Sequence, residues 1–381
     1  SAIVGCTRAK TEPTPASNFE SLLFMARPLS RPRRNARRFL LGVTLLALAT
    51  GLLWLIPWFK NRLDETQRGR PPELIRIDSG ERPLMGTTAR IVVHVAETEI
   101  GEAAIEAAFR RAHEINVICS DYNPESELMR LCRAPLNRPI PVSGTLAAVL
   151  SHARATAELT EGSFDPTLGG FTKLWRKSKR QKELPDPILL ERARQAAGWQ
   201  KFEVGLESRV VTVKDENLLF DLGGIAKGYA ADEMLRVIRD RGISSAMVAV
   251  AGDVRLGAPP PGRIGWAVGI RTLGTDIEQI IQLSNCAVST SGDLERYVEI
   301  EGTRYSHIID PGTGLGLTRR IAATVVAPTA VQSDPLATFC CINPELAREF
   351  FAAGEISCRI VGLGNGPYDY RSQQFPALTV P

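Results

Sequence analysis

Asn217-Leu-Leu-Phe-Asp-Leu-Gly-Gly-Ile-Ala-Lys-Gly-Tyr-Ala-Ala-Asp232 is the stretch whose reading decides the fold. Leu218 to Phe220 is a short apolar run with strand character, and Gly223-Gly224 turns the chain. From Ile225 the apolar positions fall at helical spacing through Tyr229, Met234, Leu235 and Ile238. A strand that enters a helix through paired glycines makes an anion site. The first helical N–H groups lack partners, the helix dipole is positive there, and glycine lets a ligand approach the backbone. Lys227 falls in the first turn, where the dipole disfavours a cation unless a negative group lies in front of it. Neither G-x-G-x-x-G nor G-x-x-x-x-G-K-[ST] is present. The plainer alternative is a strand–turn–helix corner with Asp221 as its cap.

Working outward, Thr88 to Val95 alternates as a strand and Ile100 to Ile118 has helical periodicity. The turn-rich Cys119–Leu128 opens a short helix, and Ser143 caps a helix to about Leu159. Gly162-Ser-Phe-Asp-Pro-Thr-Leu-Gly-Gly170 sets an aromatic beside a carboxylate in a loop. Lys173 to Ala197 is polar and helical with a break at Pro185-Asp-Pro187, and Phe202 to Val213 reads as a hairpin. Downstream, strands are expected at 246–250, 265–270, 278–283, 287–290, 297–300, 303–309, 321–327 and 358–361, the last strand. Helices are expected at 331–341 and 345–353. Ala246–Val250 ends at Ala251-Gly252-Asp253, a second strand end with glycine and a carboxylate. Elements are interspersed without strict alternation, so the class is α+β, with mixed or antiparallel sheets and packed helices.

Composition is that of a globular chain, 44% apolar and 23% charged. The net charge of +4 does not indicate nucleic acid, because Arg27, Arg31, Arg33, Arg34, Arg37 and Arg38 cluster ahead of one apolar segment. That segment, Phe39 to Phe59, carries no charge and is long enough to span a bilayer. The domain plan is therefore a basic, disordered cytoplasmic segment (1–38), a transmembrane anchor or cleaved signal (39–59), a linker (60–80) and a catalytic domain (81–381). The positive-inside rule exports everything after the anchor. The seven cysteines form neither a C-x-x-C nor a zinc pattern, and Cys340-Cys341 reads as core.

Asp334 and Thr338 stand four apart on one helix and share a face. A carboxylate and a hydroxyl suit a hard cation such as magnesium, with a glycine-turn carbonyl as a further ligand. The plainer alternative is that Ser333 or Asp334 caps the helix ahead of Pro335, a residue tolerated in a first turn, and that Thr338 packs. His307, in Tyr305-Ser-His-Ile-Ile-Asp310, precedes the turn Pro311–Gly314 and suits a base or a phosphate contact. No hydrolase triad is supported.

Eight motifs in order resemble the ApbE-type FAD:protein FMN transferases, from about Met85 to the C-terminus. They are Leu84–Thr87, Ser120–Leu128, Gly162–Pro166, Asp221–Ala230, Ala251–Asp253, Ser289–Asp293, Ser306–Gly314 and Ser333–Thr338. The resemblance implies an ApbE-like fold and Mg2+-dependent transfer of FMN from FAD to a Ser/Thr hydroxyl, with release of AMP. It implies FAD contacts at Met85, Tyr122, Ser163, Phe164, Asp165, Asp221 and Lys227. Metal ligation falls to Gly224, Asp334 and Thr338, and the candidate bases are His307 and Asp310. Partners would be flavin-accepting subunits of membrane redox complexes, such as sodium-pumping quinone reductase (Nqr) or Rnf-type units, met on the periplasmic side of a bacterial inner membrane. The rival readings are an FAD pyrophosphatase and a non-catalytic, membrane-anchored flavin-binding protein. Three departures from the family pattern stand out: Ser333-Asp334-Pro335 in place of Ala-Asp-Ala, Ala251-Gly252 in place of a glycine pair, and Gly312 in place of an often basic residue.

Overall fold

The computed structural model describes Lys60 and residues 73–379, apart from positions 275, 278, 295, 353 and 364–366. The apolar run 39–59 and the arginine cluster before it lie outside the described residues. The chain divides after Pro71, and the fold described is that of the second unit. No described helix is long and apolar enough to cross a membrane.

The unit opens with β1 (Ile75–Asp78), β2 (Arg82–Leu84), β3 (Thr87–Val95) and the long helix α1 (Thr98–Cys119). Then come α2 (Glu127–Leu131), β4 (Ile140–Pro141), α3 (Gly144–Leu159), α4 (Gly169–Gln181) and α5 (Pro187–Ala196). Ser143 caps α3 by accepting the Leu146 N–H at 3.1 Å, and Asp186 caps α5 ahead of Pro187, as those residue types favour. The hairpin β5 (Phe202–Gly205) and β6 (Val210–Val213) leads to α6 (Ala226–Arg239). After it run β7 (Ala246–Val250), β8 (Asp253–Leu256), β9 (Trp266–Ile270), β10 (Gln279–Leu283) and β11 (Ala287–Gly292). The chain ends with β12 (Tyr297–Ile300), β13 (Thr303–Ser306), β14 (Arg320–Ala327), α7 (Ala330–Ile342), α8 (Pro344–Phe350), β15 (Ser357–Leu363) and β16 (Pro367–Arg371).

The nine-stranded main sheet has the order β1-β3-β7-β8-β11-β14-β15-β16, with β2 paired to β3, and every pairing in it is antiparallel. The fold is thus α+β, antiparallel sheets with packed helices. Helices α1, α6 and α7 cover one face. Alternation along β3 sends Ile91 and Val93 into that core and Val92 into a separate cluster with Leu256 and Trp266, as a period of two requires. Met234, Leu235 and Ile238 of α6 are all buried in the main core, each contributing about 1.5–3 kcal/mol. A smaller core joins α4 to the β12–β13 hairpin through Phe171, Trp175, Val298 and Ile300.

Several local expectations change. Leu218 and Phe220 are buried and Leu219 half-buried, but the run forms no ladder, only an isolated bridge from Leu219 to Leu168. It lies against the start of α4, whose Gly169 N–H donates to the Leu219 carbonyl at 2.9 Å. Asp221 does not cap α6, since Ile225 is its N-cap residue and supplies no side-chain cap. Asp334 and Ser333 do not cap α7, which starts at Ala330. Pro335 therefore lies inside the helix, past its first turn, and leaves the Val331 carbonyl without its helical N–H. Ile75–Asp78, within the stretch read as linker, is a paired strand. Cys358–Val361 is not the last strand, because β16 follows on the sheet edge. Cys340 and Cys341 are fully buried.

Candidate active site

Helices α6 and α7 meet without their own side-chain caps, and each caps the other. Asp334, in the second turn of α7, accepts the free Gly228 N–H of α6 at 3.0 Å. Asp232 of α6 accepts the first N–H groups of α7, from Ala330 at 3.0 Å and Val331 at 2.8 Å. Orphan donors at two helix starts are thus satisfied in trans. The helices approach closely because Gly228 has no Cβ: one placed there would lie 2.2 Å from the Ala330 carbonyl oxygen and 2.9 Å from the Asp334 Cβ.

Lys227 lies at this crossing. Its ammonium donates to the Gly223 carbonyl at 2.6 Å, approaches Asp334 Oδ2 at 3.3 Å, and lies 3.7 Å from Asp253 Oδ2. Asp334 and Asp253 are both buried. Against the burial that would lower it, the Asp334 and Asp253 charges raise the Lys227 pKa. Burial, followed by the Asp334 charge, pushes Asp253 up to about 7, against the pull of Lys227 and Ser289. Ser289 and Ser333 hydroxyls are 2.7 Å apart and tie β11 to α7.

Thr338, one turn beyond Asp334, lies 3.3 Å from the Ser291 hydroxyl. A Cβ built on Gly224 would stand 3.7 Å from Thr338 Oγ1 and 3.3 Å from Phe164 Cε2. Gly224, Lys227, Asp334 and Thr338 are therefore together. The donors are a carboxylate, a hydroxyl and glycine-turn carbonyls, and a cation, the Lys227 ammonium, already rests on one of those carbonyls and the carboxylate. This set fits magnesium, which takes few protein carboxylates. Among the described residues no three His, Cys, Asp or Glu side chains assemble as a metal cluster, so the set does not suit a zinc-type chelate.

The remaining candidates fall into two groups. Asp221 lines the turn: its Oδ1 accepts the Gly223 N–H at 2.8 Å and its Oδ2 the Thr172 hydroxyl at 2.6 Å. Asp121, beside Tyr122, is raised first by burial and then by the Asp221 charge, so this loop borders the same turn. Tyr122 is 76% exposed, with the Arg176 guanidinium 3.8 Å from its ring centroid and Arg176 held by Asp121 at 2.6 Å. Met85 occupies a two-residue hairpin turn, with φ of 51° followed by 71° at Gly86, the primed geometry that matches strand twist. The register places this turn at the end of the sheet that carries Asp253, because Ala89 pairs with Val250 and Val250 with Asp253.

The other candidates also make contacts within the scaffold. Phe164 is buried in the main core, with an edge on Gly224 and no open ring for stacking. Asp165 accepts Thr167 N–H at 2.8 Å and hydroxyl at 2.6 Å on one oxygen and Trp199 N–H at 3.0 Å on the other. Its carboxylate braces the loop. Ser163, half-buried, donates its N–H to the Thr160 carbonyl. Asp310 Oδ1 closes its own turn on the Gly312 N–H at 2.8 Å. His307 keeps a solvent-facing edge, yet desolvation, followed by the charges of Arg296, Lys227 and Lys179, holds its pKa down at about 4. Its Nδ1 lies 3.2 Å from the Arg296 carbonyl. A carbonyl only accepts, so Nδ1 carries the proton and Nε2 keeps its lone pair.

Sequence reasoning noted the Ala251–Asp253 strand end without assigning its carboxylate a partner, named Asp232 and Ser289 within the stretches it singled out without giving them a role, and missed Arg176. A carboxylate straight after a glycine at a strand end was the available signal for Asp253. Nothing local marks Arg176 or the contacts of Asp232 and Ser289.

The model of the ApbE family matches residues 85–360. An FAD:protein FMN transferase of Treponema pallidum is 30% identical over 70% of this chain and 80% of its own length. That of Klebsiella pneumoniae is 31% identical over 78% and 87%. Among solved structures, the flavin transferase ApbE from Vibrio cholerae superposes with a TM-score of 0.70 at 28% identity, covering 80% of this chain and 99% of its own. An ApbE protein from Thermotoga maritima gives 0.69 at 29%, covering 79% and 98%.

Proposed function

Since the chain belongs to the ApbE family and is an FAD:protein FMN transferase, we propose that it transfers FMN to a Ser or Thr hydroxyl of a target protein and releases AMP. The hydroxyl oxygen forms a new bond to the phosphorus of the FMN half. The bond from that phosphorus to the AMP oxygen breaks, and AMP leaves with the electron pair. The hydroxyl proton passes to His307 Nε2, the one ring position left free by the Arg296 carbonyl. The Lys227 ammonium and the positive end of the α6 dipole supply the charge that opposes the diphosphate. Magnesium, held by Asp334, Thr338 and the Gly224 carbonyl, would supply further charge neutralisation at the phosphates.

The observation that carries this reading is the convergence of Gly224, Lys227, Asp334 and Thr338 where two helix starts meet. The acceptors that suit it are flavin-carrying subunits of membrane redox complexes. The charge-free run 39–59 behind six arginines supports a single-pass anchor with the catalytic unit outside the cytoplasmic membrane.

The test is incubation of the protein with FAD, Mg2+ and a candidate acceptor subunit, followed by in-gel flavin fluorescence. The acceptor should become labelled with stoichiometric AMP. Asp334→Asn leaves an oxygen for the Gly228 N–H but removes the charge, and should lower labelling about a hundredfold or more. FMN and AMP in solution with no labelled acceptor would point to a pyrophosphatase instead. No FAD turnover at all would leave only a flavin-binding role.

A further inference from the structure

Lys227 uses the groups that a divalent cation would need. Its ammonium rests on a glycine-turn carbonyl, that of Gly223, and on the Asp334 carboxylate. Two cations do not share one carboxylate cheaply at this range, since charges about 4 Å apart interact by about 4 kcal/mol even at an effective dielectric of 20. The side chain is largely enclosed, 19% exposed, so an ammonium released into this space without a counter-charge would pay a desolvation penalty of several kcal/mol. Asp253 answers that need. It lies 3.7 Å from the ammonium, is buried, and sits on β8 in register with Ser289 of β11, fixed to the sheet and independent of the two helices. The like charge of Arg296 also bears on Lys227.

We propose that Lys227 is a displaceable cation that guards Asp334: a divalent ion drives its ammonium off Asp334 and the Gly223 carbonyl, and Asp253 receives it. The proposal rests on the reading of Asp334 as a metal ligand. Lys227 then sets metal affinity by competition, and Asp253 sets it by stabilising the displaced state. The resting enzyme holds Asp334 and Asp253 compensated in the absence of metal, and this keeps the α6–α7 junction together before substrate arrives.

The experiment is a double-mutant cycle read by Mn2+ binding, using the electron-paramagnetic signal of the free ion, in the full chain without FAD. Lys227→Met removes the competitor and should tighten Mn2+ by at least roughly tenfold. Asp253→Asn removes the receiving group and should weaken Mn2+ by a similar factor. In the Lys227→Met background the Asp253→Asn effect should largely vanish, because no ammonium remains to be received. A direct field effect of Asp253 on the metal predicts the same loss in both backgrounds, and that result would overturn the proposal. So would unchanged or weaker Mn2+ binding in Lys227→Met while Asp334→Asn abolishes binding. Mn2+ binding that survives Asp334→Asn would remove the metal-site reading and this inference with it. Lys227→Gln, which retains a donor for the Gly223 carbonyl, should tighten Mn2+ likewise, and it serves if Lys227→Met does not fold. Mn2+ should also raise the melting temperature of either Lys227 variant more than that of the parent.

Discussion

His307 and Asp310 differ in what their hydrogen bonds leave over. Asp310 gives one oxygen to its own turn, whereas His307 spends Nδ1 on a carbonyl and keeps Nε2 basic. With a pKa of about 4 the imidazole is neutral above pH 5 and protonated only below about 4. If it is the base, kcat/KM should be flat on the acid side down to about pH 5 and fall as pH drops through about 4. An unperturbed histidine would lose activity near 6.5. His307→Gln should lower kcat/KM by about 10²–10⁴-fold and abolish that acid limb. A limb near pH 4 that persists in the variant would exclude this role. Of the residues singled out at this scale, Lys227 stood out because its charge contradicts its local setting, whereas Asp334 and Thr338 were picked by their spacing, and Gly224 and His307 by their turns and by resemblance. Lys227 is a cation at a positive helix end, and its partners are carboxylates 26 and 107 positions away. The interaction of Lys227 with Asp253 was not legible, because only the β8–β11 register brings the second carboxylate to it.

Two helices that cap one another share their fate. Asp232 supplies both N–H partners of α7 and is itself held by Arg255 at 2.7 Å, so Asp232→Ala should cost at least about 1–2 kcal/mol, the range for a lost cap. It should also loosen Asp334 on α6, weakening Mn2+ and FAD binding together. Gly228→Ala decides between two effects of opposite sign. Alanine in an exposed helix gains about 1 kcal/mol over glycine. Here the new methyl meets the Ala330 carbonyl oxygen at 2.2 Å, and the helices must part, at about 1–3 kcal/mol for overpacking. The variant should therefore melt lower and bind Mn2+ more weakly. A melting temperature at or above the parent's would show that the crossing is not tight. Helix positions were readable from apolar periodicity and from local caps such as Ser143 and Asp186. The extent of α7 was readable to within one residue, 331–341 against Ala330–Ile342, but its cap was not, because that comes from Asp232 on another helix, and a sequence window around Asp334 offered that residue and Ser333 as cap-like groups. Pro335 strengthened the misreading, since proline favours first turns, yet here it is inside the helix.

At the scale of the molecule, strands were legible where they are buried and apolar, and their order was not. Alternation places Ile91 and Val93 on the helix side of β3, but nothing in β7 or β14 announces its neighbours. The edges escaped notice for a physical reason: Ile75-Arg-Ile-Asp78 and Pro367–Arg371 are half polar and partly exposed, as edge strands should be to discourage further pairing. β1 nevertheless belongs to the core unit. It pairs with β3 over Ile75–Asp78, and Ile77 packs so closely on α1 that a Cβ on Gly101 would lie 2.5 Å from it. Arg90 clamps Asp78 through both carboxylate oxygens, at 2.9 and 2.5 Å. A chain beginning at residue 73 should therefore keep the melting temperature of the full chain. A chain beginning at residue 81 should melt lower, by about 2–4 °C for each kcal/mol lost. It should also associate, because the hydrophobic β3, with Ile91, Val92 and Val93, becomes an open edge. Calorimetry and light scattering on the two truncations test this. Equal melting and equal monodispersity would mean that the sheet effectively ends at β3 and that β1 is an appendage.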